Sequence, residues 1–425
     1  MINWIKYRKD IEVMAKRRAR YRRGRRGKKH GFASWSIWKK MAAILGGTFT
    51  LVLAAGAVLV ASKLSKIETV KLDADKLNIS EAPAEERGTG YLNVALFGLD
   101  SRDNQLGKGN RTDTIIIASL NRETLEVKLS SVYRDTLLQL PDGSLNKANA
   151  AYSFGGPEDA IAMLNKNLDM DIQHYVAVNF NAMVEVIDAL GGLDLDITEE
   201  EIPYVNGYAT EIIKVTGKDS AGVLEPGLQH VSGTVATAYA RIRYTAGGDF
   251  KRAERQRLVL SKIVEKAQSA SLSQINKIID KVFPMISTNF TLTEVLTYAK
   301  DAMGYKLTEM SGFPEDNTTD MLNNVGSVVI PVTLETNVVK LHQFLFGADV
   351  VYTPSSDVYT IGNAIAEKAG DRSSGTDNSS DYDEEESYNY DDYSDNYDDY
   401  DSGYNSDDYY DSDYSYEEEY DDSGY

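Results

Sequence analysis

Residues 91–350 predict an α/β fold, an α/β/α layered domain around a mixed β-sheet, and three observations lead there. Apolar runs of strand length alternate with stretches of helical periodicity. Gly, Asn and Pro punctuate the junctions between them. At least one pair of strands is joined by a hairpin-length connection while others are separated by helices, so parallel and antiparallel neighbours must share a sheet.

The elements follow in order. Residues 91–99 (YLNVALFGL) form an apolar run of the kind a buried strand needs. Residues 114–120 (TIIIASL) and 126–132 (EVKLSSV) supply the next two strands, with Asn121, Arg122, Glu123 and Thr124 as the hairpin connection. Residues 157–168 read as a helix with Pro157 in its first turn. Residues 174–180 alternate as a strand, 181–190 form a helix closed by Gly191 and Gly192, and 193–197 form another strand. Residues 227–238 have a helical pattern that leads into a strand holding Arg241 and Arg243. Helical patterns resume at 250–270, 272–282, 291–302 and 335–346, with a strand at 327–330 stopped by Pro331.

The flanks differ from this core. Residues 1–40 hold 15 Lys and Arg against 2 acids. Residues 41–62 hold no charge for 22 positions, about 33 Å as a helix, enough to cross a bilayer. Residues 63–90 are a short polar tether with 5 basic and 6 acidic residues. The positive-inside rule then places the head in the cytoplasm and the rest outside, as a retained single-pass anchor rather than a cleaved signal peptide. Residues 371–425 hold 22 acids, one Arg and 13 Tyr, a composition that predicts a disordered tail. The head's topology explains its charge without nucleic acid as a partner.

Chemistry is bounded by what is missing. The chain has no Cys and only four His (His30, His174, His230, His342), none in metal-ligand spacing. Carboxylates, guanidinium groups and hydroxyls remain. The stretch 241–257, RIRYTAGGDFKRAERQR, is basic within a protein of net charge -20. On a strand, Arg241 and Arg243 share a face. Asp249 is expected to cap the following helix, which places Lys251, Arg252 and Arg255 in its first turns, an arrangement suited to an anion such as phosphate. Lys251 and Arg257 read as ordinary surface charges. Asp100, Asp113 and Arg134 sit at the ends of the first three strands and converge if those strands are neighbours. Two close carboxylates need a cation, and an all-oxygen site suits Mg²⁺ bound together with substrate phosphates. Asp113 and Asp135 have the alternative of serving as caps or as ion-pair partners of Arg111 and Arg134. Lys147 and Asn149 read equally as turn residues and as supports of the site.

The blocks GLDSR (98–102), RTDT (111–114), YRDT (133–136), KANAAYSFGG (147–156), VIDALGG (186–192), RIRY (241–244) and DFKRAERQ (249–256) occur in this order over most of 91–265. In this the chain resembles the LytR-CpsA-Psr family of extracytoplasmic wall-polymer ligases. The resemblance implies an α/β/α domain with a hydrophobic pocket for a polyprenyl chain. It implies transfer of a glycopolymer, such as teichoic acid or capsule, from a polyprenyl-pyrophosphate carrier to peptidoglycan. It matches Asp100 and Asp113 to Mg²⁺-associated carboxylates, Arg111, Arg134, Arg241, Arg243 and Arg252 to pyrophosphate-contacting arginines, and Gln256 to the Gln beside them. Tyr133 departs from the usual Pro, Ala148 from an Ile, and Thr234-Val235 from the usual residues before the arginines. A non-catalytic tether for lipid-linked pyrophosphate and a hydrolase of the carrier are the alternatives.

Overall fold

The computed structural model describes residues 62, 66–80, 90–101 and 105–370. The basic head, all but the last residue of the expected membrane span, and the acidic tail lie outside them. Among the described residues no helix is long and apolar enough to cross a membrane.

In chain order the strands are β1 (Glu68–Thr69), β2 (Tyr91–Leu99), β3 (Thr112–Asn121), β4 (Glu126–Val132), β5 (Leu137–Gln139), β6 (Leu145–Lys147), β7 (His174–Asn179), β8 (Leu193–Ile197), β9 (Gly227–Val231), β10 (Ile286–Thr288), β11 (Lys306–Phe313), β12 (Asn317–Leu322) and β13 (Gly326–Pro331). The helices are α1 (Ala148–Leu168), α2 (Phe180–Leu190), α3 (Ile202–Thr216), α4 (Gly233–Tyr239), α5 (Gly248–Gln268), α6 (Leu272–Val282), α7 (Leu292–Ala299), α8 (Leu334–Phe346) and α9 (Ser356–Gly370). Seven strands form the central sheet in the order β1-β10-β7-β2-β3-β4-β11. β7 runs parallel to β2, β11 runs parallel to β4, and β3 is antiparallel to both its neighbours, so the sheet is mixed.

Local chemistry sets these elements. β3 is buried at Ile115, Ile116 and Ile117, as a strand covered on both faces must be. Its hairpin closes because Asn121 Oδ1 accepts from the Glu123 and Thr124 backbone N–H groups at 2.9 and 3.1 Å. α2 starts where Asn179 Oδ1 accepts from the Ala182 N–H and stops at Gly191, whose φ of 88° suits Gly.

Helices cover both faces of the sheet. One core joins Ala95, Phe97, Ile115 and Ile117 to α1, α8 and α9. A second core joins α2, α3, α4, β8, β9 and Val259 of α5. On the sheet face turned away from the first core, Val94, Leu96, Ala118, Val176 and Val178 remain only half-buried.

The structure corrects several sequence expectations. Residues 227–238 split into β9 and α4, because Ser232 caps a new helix by accepting from the Val235 N–H. Arg241 and Arg243 are on the irregular link from α4 to α5, not on a strand. α1 begins nine residues before Pro157 and is broken at Gly156, where φ is 72°. The folded core also exceeds 91–350. β1 pairs with β10, Leu77 is buried in the main core, and Val358, Ile361 and Ile365 of α9 pack into it.

Candidate functional site

The candidate site is a charged cleft at the edge where β2 and β4 end and β3 begins. Along β2 and β3, Gly98 faces Thr114 and Leu99 faces Thr112, which leaves Asp113 as the extra residue of a bulge. A bulge re-aims its side chain, and Asp113 Oδ1 here accepts from Arg134 Nη1 at 2.5 Å. Gly98 makes the bulge possible: a β-carbon there would lie 2.9 Å from Thr114 Cβ. Arg134 leaves the end of β4, and its Nε lies 3.4 Å from both Asp135 and Asp249.

Asp249 holds the other arginines. Arg243 Nε approaches its Oδ1 at 2.8 Å, and Arg252 Nη2 donates to its Oδ2 at 3.1 Å. Asp249 is not the N-cap of α5. Gly247, with φ 90°, fills that place and puts Asp249 in the first turn, where a carboxylate also complements the helix dipole. A small open cleft lies against these groups, lined by Asp113, Thr114, Tyr133, Arg134, Asp249, Arg252 and Gln256 among others.

Arginines and carboxylates set one another's charge here. Burial works to raise the Asp249 carboxyl, but Arg252, Arg134 and Arg243 outweigh it and hold the group below the usual carboxylate range. Burial likewise works to lower Arg134, and Asp113, Asp135 and Asp249 outweigh it and keep that guanidinium firmly charged. Burial and the neighbouring Arg134 depress Arg252. The Nε atoms of Arg134 and Arg252 are buried and make no hydrogen bond within the protein, although Arg134 Nε stands 3.4 Å from the Asp135 and Asp249 carboxylates.

The other expected residues take up distinct places. Arg111 is exposed and forms no ion pair among the described residues, and its carbonyl accepts from the Asp100 N–H at 3.2 Å. Asp100 is therefore beside the β3 entry and exposed. Gln256 lines the cleft one turn beyond Arg252. Arg241 stands apart from the Asp249 cluster: its guanidinium packs 4.7 Å from the Phe180 ring centroid and 5.1 Å from that of Tyr208, and it pairs with Glu211 at 3.2 Å. Lys147 pairs with Asp135 at 3.3 Å, which joins it to the charged network.

Arg257 is buried rather than a surface charge, and it lies near Tyr133, whose ring packs edge-on against Phe250. Arg255 is also buried. It pairs with Glu201 at 2.8 Å and donates to the Ile242 carbonyl and Thr245 Oγ1, bracing the link that holds Arg241 and Arg243. The role of Asp249 as a hub was missed from sequence, although an acid in the first turn of an arginine-rich helix was the signal available.

For Mg²⁺ the available donors are carboxylates. Among the described residues no three His, Asp or Glu side chains gather as a metal site. Two carboxylates at adjoining strand ends, Asp100 and Asp113, do fit the habit of Mg²⁺, which uses one or two carboxylates and completes its shell with water and phosphate oxygens.

The LytR_cpsA_psr family model matches residues 56–342. Over 204 residues the chain is 31% identical to the polyisoprenyl-teichoic acid–peptidoglycan teichoic acid transferase TagV of Bacillus subtilis, covering 47% of this chain and 50% of that protein. It is also 31% identical over 215 residues to the transferase TagU of Enterococcus faecalis, covering 49% of this chain and 65% of that one. The chain thus spans between half and two-thirds of these relatives' lengths. A solved Streptococcus agalactiae protein superposes with a TM-score of 0.53 at 24% identity, covering 66% of this chain and 97% of that one, a likeness of fold.

Proposed function

The chain belongs to the LytR_cpsA_psr family, and from that premise we propose that it is a membrane-anchored phosphotransferase moving a glycopolymer from a polyprenyl-pyrophosphate carrier onto peptidoglycan. The observation that carries this reading is the gathering of Arg134, Arg243 and Arg252 around Asp249 and Asp113 at an open cleft. The half-buried apolar face of Val94, Leu96, Ala118, Val176 and Val178 offers the polyprenyl chain a dry surface. The N-terminus would be cytoplasmic and the folded part extracytoplasmic.

In this mechanism the guanidinium groups of Arg134, Arg243 and Arg252, with Arg111 from the rim, bind the pyrophosphate through paired N–H donors. Gln256 adds a neutral donor beside them. A sugar hydroxyl of peptidoglycan attacks the phosphorus nearer the glycan and passes its proton to water. The bond from that phosphorus to the bridging oxygen breaks, and polyprenyl phosphate leaves. Charge spreads over the phosphoryl oxygens as this happens, and fixed cations stabilise it without reorganising. Asp100 and Asp113 would hold Mg²⁺, which supplies further neutralisation of the pyrophosphate when bound. Asp113 and Asp249 keep the arginines aimed into the cleft.

The test is a transfer assay with the full chain in membranes, a polyprenyl-pyrophosphate-linked glycopolymer, peptidoglycan oligomers and Mg²⁺. The expected result is a glycan–peptidoglycan phosphodiester with release of polyprenyl phosphate. Arg243→Ala and Asp113→Ala should each lower it by about a hundredfold or more. Release of free phosphorylated glycan regardless of acceptor would make the protein a hydrolase, and binding without turnover would make it a tether.

A further inference from the structure

Beside the arginine cluster is an aromatic surface that the transfer chemistry does not use. α3 places Tyr204, Tyr208 and Glu211 at i, i+4 and i+7, so they share one face of the helix, while Val205, Ala209 and Ile212 fill the core. The link after α4 brings Tyr244 to this face, its ring centroid 6.4 Å from that of Tyr204 at an angle of 32°. Tyr244 is 67% exposed, an unusual state for a ring that burial would favour. Arg241 is fixed against Phe180 and Tyr208 and reaches the exposed carboxylate of Glu211. Tyr244 directly follows Arg243, which is bonded to Asp249 at the cleft.

We propose that Tyr204, Tyr244 and the Arg241–Glu211 pair form a glycan subsite, taking a pyranose ring of the carrier-linked polymer next to its pyrophosphate. This deepens the proposed function and rests on it. A pyranose presents a face of C–H bonds and an edge of hydroxyls. The exposed tyrosine ring takes the C–H face, a contact that removes apolar surface from water. The carboxylate accepts from the hydroxyls and the guanidinium donates to them, the usual division between an apolar wall and a few directed polar groups. The one-residue step from Arg243 to Tyr244 sets the order: pyrophosphate on the arginines, first sugars on the tyrosines.

The experiment compares the full chain with its Tyr244→Ala, Tyr244→Trp and Tyr204→Ala variants. Affinity is measured for two probes, bare polyprenyl pyrophosphate and the same lipid bearing a disaccharide. Tyr244→Ala should bind the bare lipid within about twofold of the parent and lose about tenfold for the glycosylated one, a difference of roughly 1.4 kcal/mol. Tyr244→Trp should retain most of the preference, and Tyr204→Ala should lose part of it. Equal losses for both probes would assign the rings to lipid or pyrophosphate, and no loss for either would remove them from recognition; each overturns the subsite. If the parent binds neither probe, it is the carrier reading that fails rather than the placement of the sugar.

Discussion

At the scale of single residues, Asp249 organises the site without reacting. It meets Arg134, Arg243 and Arg252, and each of those meets solvent or the cleft on another side. Replacing it with Asn keeps the shape and removes the charge that aligns three guanidinium groups. We expect Asp249→Asn to lower the transfer rate by about a hundredfold, with the fold kept as judged by circular dichroism. The pH dependence has a definite sign. The folded-state carboxyl titrates below its unfolded value of about 3.9. Its contribution to stability is therefore complete above that value and is lost as pH falls through the lower folded one. Acid unfolding of the parent should show this loss, and Asp249→Asn should flatten it.

At the scale of elements, two arrangements place these side chains. The first is the β2–β3 bulge, which turns Asp113 toward Arg134 and depends on a residue without a β-carbon at 98. Gly98→Ala should press on Thr114, shift Asp113 and cost about 1–3 kcal/mol, measured by urea denaturation, with a larger loss of transfer than of stability. The second is the buried Glu201–Arg255 pair, which ties the start of α3 to the link carrying Arg241 to Thr245. Arg255→Ala strands the Glu201 carboxylate, which is only 6% exposed. A loss of about 3–5 kcal/mol is expected, and the double variant Glu201→Leu, Arg255→Leu should recover part of it.

At the scale of the whole molecule, the folded core begins and ends outside the boundaries that motifs suggest. Asp169 is buried and accepts from the Tyr352 hydroxyl and from both the backbone N–H and the hydroxyl of Ser355, which latches the start of α9. A chain stopped after residue 350 would leave that carboxylate without these donors and strip Val358, Ile361 and Ile365 from the main core. It should be at least about 3 kcal/mol less stable than one extending to 370, read as a lower denaturation midpoint.

How much was legible in the sequence follows from the range of the interactions. Strands β2, β4 and β8, the Asn121 turn, the stop of α2 at Gly191 and the presence of α5 were read correctly, because alternation, turn residues and caps act within a few positions. The ordered charged blocks likewise identified the family, since they are linear motifs. The sequence does not single out α3, although its inward face is apolar, and 241–244 reads as a strand because alternation describes a buried link with Ile242 inward as well as it does a strand. The pairing of Asp113 with Arg134, the hub at Asp249 and the burial of Arg257 bring together residues from different strands and helices, and only the tertiary structure decided them. Composition fixes which groups a site has to work with; the register of a bulge and the packing of a helix over a sheet fix which of them meet.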